Sequence, residues 1–260
     1  MDRHRLVGYI DNTLQRNGPH QKYHVLIIGG SSGIGLGVAE KCLDEGAGVH
    51  IASSNASRVT KATTTLQEKY PSAKITGHVC DISGDDAEQN LVKLLDPIAP
   101  LDHVVFTAGD SLAIKPLKDI DITSIHRAGH IRFVVPLLLG KLAPRYMVPG
   151  YKSSLIFTTG AIADKPMPNW SLINGFMTGL VGATKNLALD LKPLRVNIVS
   201  PGAVATPLWG EQGVPEGVAD NTLTGKIGRV DEVAEAYLYL MKDSNATGAC
   251  VRTNSGSVLM

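Results

Sequence analysis

Seven short apolar runs, each separated from the next by a segment long enough for a helix, constrain this chain more than any single residue does. The runs are HVLIIG (24–29), GVHIAS (48–53), KITGHVCD (74–81), LDHVVFTAG (101–109), SSLIFTTG (153–160), LRVNIVSPG (194–202) and GACVRTN (248–254). Helix-length segments lie between them at 35–45, 57–69, 84–95, 119–147, 171–191 and 231–242. Strands alternating with helices predict βαβ units around a buried parallel sheet. Right-handed crossovers then leave a doubly wound, seven-stranded parallel α/β sheet as the expected fold. The 260 residues suffice for one such domain. Residues 1–22 are polar and aperiodic and read as a leader, which puts the domain at 23–260. Residues 205–226 are the longest stretch of weak periodicity; a loop of that length inside a compact domain reads as a lid or binding loop.

The totals exclude several classes of function. A net charge of +1 makes no electrostatic case for a nucleic acid or a membrane surface as partner. No apolar run approaches the ~20 residues of a membrane span, and the N-terminal stretch has charges but no apolar signal core. Cys42, Cys80 and Cys250 are odd in number and scattered, as expected of free thiols in a reducing, cytoplasmic setting. The sequon Asn245-Ala246-Thr247 is then incidental.

The turn after the first strand carries chemistry. In VLIIGGSSGIGLGVAEKCLDEGA, Gly29, Ser31, Ser32, Gly33, Ile34 and Gly35 link an apolar strand to a helix. Glycine allows positive φ and close backbone approach, and the helix N-terminus adds unpaired N–H groups and a positive dipole end. In this strand-turn-helix context the pattern predicts a Rossmann-type dinucleotide site. The end of the second strand selects the dinucleotide, because an acidic residue there would hold the ribose and repel a 2′-phosphate. Here Ser53, Ser54 and Asn55 stand instead, with Arg58 following, and no carboxylate is present. That favours NADP(H), with Arg58 either on the phosphate or simply solvated.

Together GGSSGIG (29–35), CDI (80–82), TAG (107–109) and RVNIVSPGAVATP (195–207) resemble the short-chain dehydrogenase/reductases over nearly the whole chain. The resemblance implies adenine contacts from Asp81 and Ile82, a cofactor edge along Ala108 and Gly109, and a nicotinamide cradle from Pro201, Gly202, Val204 and Thr206. Thr107 replaces the usual asparagine of that turn and must supply its hydrogen bond. The family's proton relay is missing: its tyrosine and lysine positions are Ile173 and Met177, its serine position is Gly160, and its asparagine position falls near Ala128. No tyrosine occurs between Tyr151 and Tyr237 to replace the lost one. IASSN, FTAGD, PNWS and LALDLKPLRVN further resemble a fungal group of atypical members. Some of these act in secondary metabolism, including bifunctional reductase/Diels–Alderases of indole alkaloid pathways.

Three functions remain open. One is an NADPH-dependent reductase of an iminium, an imine or an activated alkene without the phenol; hydride addition to an iminium cation leaves a neutral amine and needs no donor. The same pocket could direct a cyclisation or isomerisation by orientation alone. A catalytically inactive NADP(H)-binding sensor or partner module is the third. The small-molecule partner expected is a cyclic amine, imine or alkaloid. Candidate replacements for the lost groups are Arg132, one turn after Ala128, and His130, Asp164 and Trp170. Each has a plain structural alternative: ion pair, interface histidine, loop cap and packing residue. His126 and His130 are four apart but lack a third ligand, so no metal is expected. Asn169 or Ser171 is expected to cap the following helix, and Trp209 either covers substrate or anchors its loop. Gly179, Gly182 and Ala183 would let helices of two subunits approach, as the family's pairing into homodimers or homotetramers implies.

Overall fold

The computed structural model describes residues 23–260; the expected leader, 1–22, lies outside the described residues. Seven strands form one parallel sheet in the order β3-β2-β1-β4-β5-β6-β7. They are β1 (His24–Ile28), β2 (Gly48–Ser53), β3 (Ile75–Val79), β4 (His103–Phe106), β5 (Ser154–Thr158), β6 (Arg195–Pro201) and β7 (Cys250–Thr253). The helices are α1 (Gly33–Asp44), α2 (Ala56–Lys69), α3 (Ala87–Leu95), α4 (Ile122–Gly129), α5 (Val135–Tyr146), α6 (Ser171–Asp190) and α7 (Val230–Lys242). Each expected strand is present, trimmed at its ends where backbone pairing stops.

Strand side chains alternate between faces, so the sheet serves two cores. Val25 and Ile27 join the core under α1, α2 and α7, whereas Leu26 and Ile28 join the one under α3, α5 and α6. Strands covered on both faces are buried along their whole length, as β4 and β6 are, although β6 also buries Arg195, Asn197 and Ser200 among its apolar residues. The order reverses between β1 and β4, which opens a crevice at the carboxyl ends of the strands.

The expected helix at 119–147 is interrupted. Between α4 and α5, His130–Val134 widens into a π turn, in which Val135 N–H donates to His130 O. Pro136 explains it: the residue lacks an amide hydrogen, and its ring crowds the carbonyl four residues back, that of Arg132. The small residues expected to serve association are partly used within the chain. A Cβ at Gly179 would sit 3.3 Å from Phe133, and Ala183 packs on the core, while Gly182 faces open space.

Arg195 is 2% exposed at the start of β6. Its Nε donates to Tyr151 O at 2.6 Å, Nη1 to Leu240 O at 2.6 Å and Ala246 O at 3.3 Å, and Nη2 to Met241 O at 2.9 Å and Lys152 O at 3.4 Å. One guanidinium thus satisfies carbonyls at the C-terminal end of α7 and in the turn before β5, groups that helix and turn geometry leave unpaired. Arg195→Met should lower stability by about 3–5 kcal/mol, because several buried carbonyls lose their donor at once. Urea unfolding checks this, and Arg195→Lys should recover only part of the loss.

One buried and one half-buried imidazole, His103 and His50, weaken the fold in acid. Burial, then the charge of Arg195, depress His103 to about 3. Burial, then His78 and His24, depress His50 to about 4. Groups whose folded pKa lies below the unfolded value near 6.5 stabilise fully above 6.5, and that stability is lost as pH falls toward the folded values. The urea midpoint should therefore drop steadily from pH 6.5 to pH 4, and His103→Gln should flatten the slope.

Candidate active site

The crevice is built on a close backbone approach. Gly29 has φ +94°, and a Cβ there would lie 2.5 Å from Ala108 N. A Cβ at Gly35 would lie 2.5 Å from Thr107 Oγ1. Only glycine lets the turn settle onto the end of β4. Thr107 Oγ1 donates to Ile28 O at 3.2 Å, the bond its position requires. Helix α1 begins without an acidic residue in its first turn, and Ser32 at its N-cap makes no side-chain cap. Its first N–H groups and dipole are therefore left for an anion. Thr206 closes over the turn, its side chain 3.3 Å from where a Gly33 Cβ would be. Gly202 rests on the backbone of Asn254, whose Nδ2 is buried without an acceptor. These features fit a dinucleotide's pyrophosphate and nicotinamide end.

At the adenine side, Ser53 is half-buried while Ser54, Asn55 and Arg58 are exposed. Asn55 Oδ1 caps α2, accepting from Arg58 N–H at 2.9 Å and Ser57 Oγ at 2.8 Å. Arg58 makes no ion pair among the described residues, and its guanidinium stands free at the start of α2. Asp81 is exposed, and hydrogen bonding from the Ser83 side chain and amide holds its carboxyl below the usual range. Ile82 is buried beside it.

At the positions that the resemblance assigns to a proton relay the structure has hydrocarbon. Ile162, Ile173 and Met177 form a buried cluster, with Leu112 and Trp170 packed on it. A Cβ at Gly160 would lie 2.8 Å from Met177 Cε, and Thr159 Oγ1 donates to Met177 O at 2.8 Å. The four positions matched to the family's relay, Ala128, Gly160, Ile173 and Met177, carry no ionisable group, and all four are buried.

The candidate replacements separate. Asp164 does not stand free toward the floor: Arg252 holds both its oxygens, Nε to Oδ2 at 2.8 Å and Nη2 to Oδ1 at 2.9 Å. The arginine keeps its carboxyl below the ordinary range. His130 is likewise committed, its Nε2 donating to Ile82 O at 3.0 Å, so it supports the adenine-side loop. Trp170 occupies the N-cap position of α6 and packs on the apolar floor; neither Asn169 nor Ser171 caps that helix, and Asn169 instead takes φ +67°. Trp209 anchors its loop, donating from Nε1 to Val204 O at 2.9 Å. Among the described residues no group of three or more His, Cys, Asp or Glu side chains is placed to hold a metal ion.

Arg132 is the replacement that reaches the crevice. Its guanidinium lies 3.3–3.6 Å from where a Gly109 Cβ would be, and Nη2 donates to Asp110 O at 2.5 Å. Nε is 3.1 Å from Asp110 Oδ1, at an angle that makes an ion pair but no hydrogen bond. Sequence reasoning missed Asp110. Its signal was its place, directly after the Ala108-Gly109 edge.

The whole described fold agrees with known proteins. The family model of the SDR-like Rossmann domain matches residues 20–260. The short-chain dehydrogenase/reductase ATR9 of Stachybotrys chlorohalonatus is 42% identical over 90% of this chain and 96% of its own length. The short-chain dehydrogenase/reductase malC of Malbranchea aurantiaca is 41% identical over 91% of this chain and 94% of its own length. A solved structure of the MalC reductase/Diels–Alderase from that organism superposes with a TM-score of 0.87 at 40% identity, covering 93% of this chain and 98% of the other. No helix among the described residues is long and apolar enough to cross a membrane. With the glycine cradle, the seven-stranded sheet and these relatives in agreement, the chain belongs to the short-chain dehydrogenase/reductase family.

Proposed function

We propose that the chain is an NADPH-dependent reductase of a cationic C=N bond, an iminium or protonated imine, with an activated alkene as the related substrate class. One observation carries this reading: an open glycine cradle stands beside a floor of Ile162, Ile173 and Met177 that cannot donate a proton. Bound NADPH would supply the hydride. Reduction of a ketone leaves an alkoxide that needs an acid at once, whereas reduction of an iminium leaves a neutral amine. The floor serves by excluding water and shaping the substrate, and Trp170 offers a ring face to a planar or cationic ligand.

The choice of NADPH rests on the free Arg58 guanidinium, the Ser53 and Ser54 hydroxyls and the absence of an acid at the end of β2. The structural relative's name, reductase/Diels–Alderase, favours a second reading in which the same apolar pocket orients a cycloaddition. A small-molecule substrate of the cyclic amine, imine or alkaloid type suits both. For self-association we propose the α6 surface at Gly175 and Gly182, where among the described residues nothing lies within 4 Å of where a Cβ would be, in a homodimer or homotetramer.

Purified protein should oxidise NADPH with cyclic imines and leave simple ketones untouched; oxidation with ketones alone, or with neither, would overturn the reading. Tight NADPH binding without any turnover would instead indicate a sensor module, and turnover of a diene without cofactor a cyclase. Arg58→Glu should weaken NADPH binding about tenfold and leave NADH binding nearly unchanged, since a charge-assisted phosphate contact is lost. Calorimetric titration with both cofactors checks it.

A further inference from the structure

The structure assigns Asp110 as the counter-ion for the substrate's cationic nitrogen, with Arg132 as the residue that positions it. Asp110 follows Gly109, on the expected cofactor edge, and precedes Leu112, which packs on the apolar floor. Its loop is tied to the neighbouring substrate loop, Lys115 N–H donating to Asn169 O at 3.0 Å. Arg132 grips the aspartate at Oδ1 and at its main-chain carbonyl. The second carboxylate oxygen, Oδ2, receives no hydrogen bond among the described residues. The pair is asymmetric, with the Arg132 side chain 12% exposed and that of Asp110 28% exposed. The outward end of the pair is therefore the negative one. Asp164, the other carboxylate near the floor in sequence, is neutralised by Arg252.

A carboxylate within a few ångströms of an imine nitrogen favours its protonated form. The proton is then taken from solvent before hydride transfer, not from a phenol during it. As hydride adds to carbon, the C=N π pair moves onto nitrogen and the cation is discharged. Asp110 therefore stabilises the bound cation more than the transition state, and its loss should appear in KM before kcat. Arg132 holds the carboxylate in place.

This inference rests on the reductase reading for the identity of the cation but not for its binding, and the test separates the two. With NADP⁺ present, affinities for N-methylquinolinium and its uncharged isostere 1-methylnaphthalene are measured by calorimetry. The wild type should prefer the cation. Asp110→Asn should lose about tenfold in affinity for the cation and leave 1-methylnaphthalene within about twofold, with Asp110→Glu recovering part of the loss. Arg132→Gln should reduce the same preference. Equal losses for both ligands, or an Asp110→Asn protein that still prefers the cation, would overturn the assignment. Asp110-dependent cation binding with no imine reduction would sustain the assignment and overturn the reductase reading.

Discussion

The close approach of the Gly29–Gly35 turn to the end of β4 is the contact on which the rest depends. Side chains at Gly29 or Gly35 would collide with the backbone or hydroxyl of Thr107-Ala108, so the two segments meet only because neither glycine has a Cβ. Their meeting places the start of α1 at the switch point of the sheet and fixes where Gly109, Asp110 and Arg132 can lie. Thr206 reaches the same turn, so the loop that follows β6 meets the glycine turn as well.

Beside the glycine turn the expected relay positions are taken up by apolar packing. Ile173 and Met177 are well-packed residues of a small core that also includes Ile162, rather than exposed remnants of a lost site. Burying hydrocarbon there is favourable, whereas an unpartnered phenol or ammonium in the same space would carry a desolvation cost. The polar groups at the mouth follow the same logic. Those committed elsewhere, Asp164 to Arg252 and His130 to Ile82 O, contribute to scaffolding. The carboxylate left facing outward is paired on one side only.

Strand and helix placement was legible because a sheet covered on both faces must be apolar along whole strands, and crossover helices must fill the intervals. The cradle was legible because glycine spacing is a local property of one turn. The partners of long side chains were not: Asp164 meets Arg252 across 88 residues, and Arg132 meets Asp110 across 22, through contacts that no local spacing encodes. The same holds for Gly179, taken up by Phe133 within the chain. The π turn had a visible cause in Pro136, yet its consequence, the direction in which Arg132 projects, follows only from the packed helix.

In the proposed reaction hydride is delivered without a proton from the protein. Single-turnover reduction of N-methyl-3,4-dihydroisoquinolinium, a cation that carries no titratable proton, tests it most directly. The hydride-transfer rate should be flat between roughly pH 6 and 9 and unchanged in heavy water, because no acid acts in the step. A rate that follows the titration of a protein group, or a clear solvent isotope effect, would contradict the account.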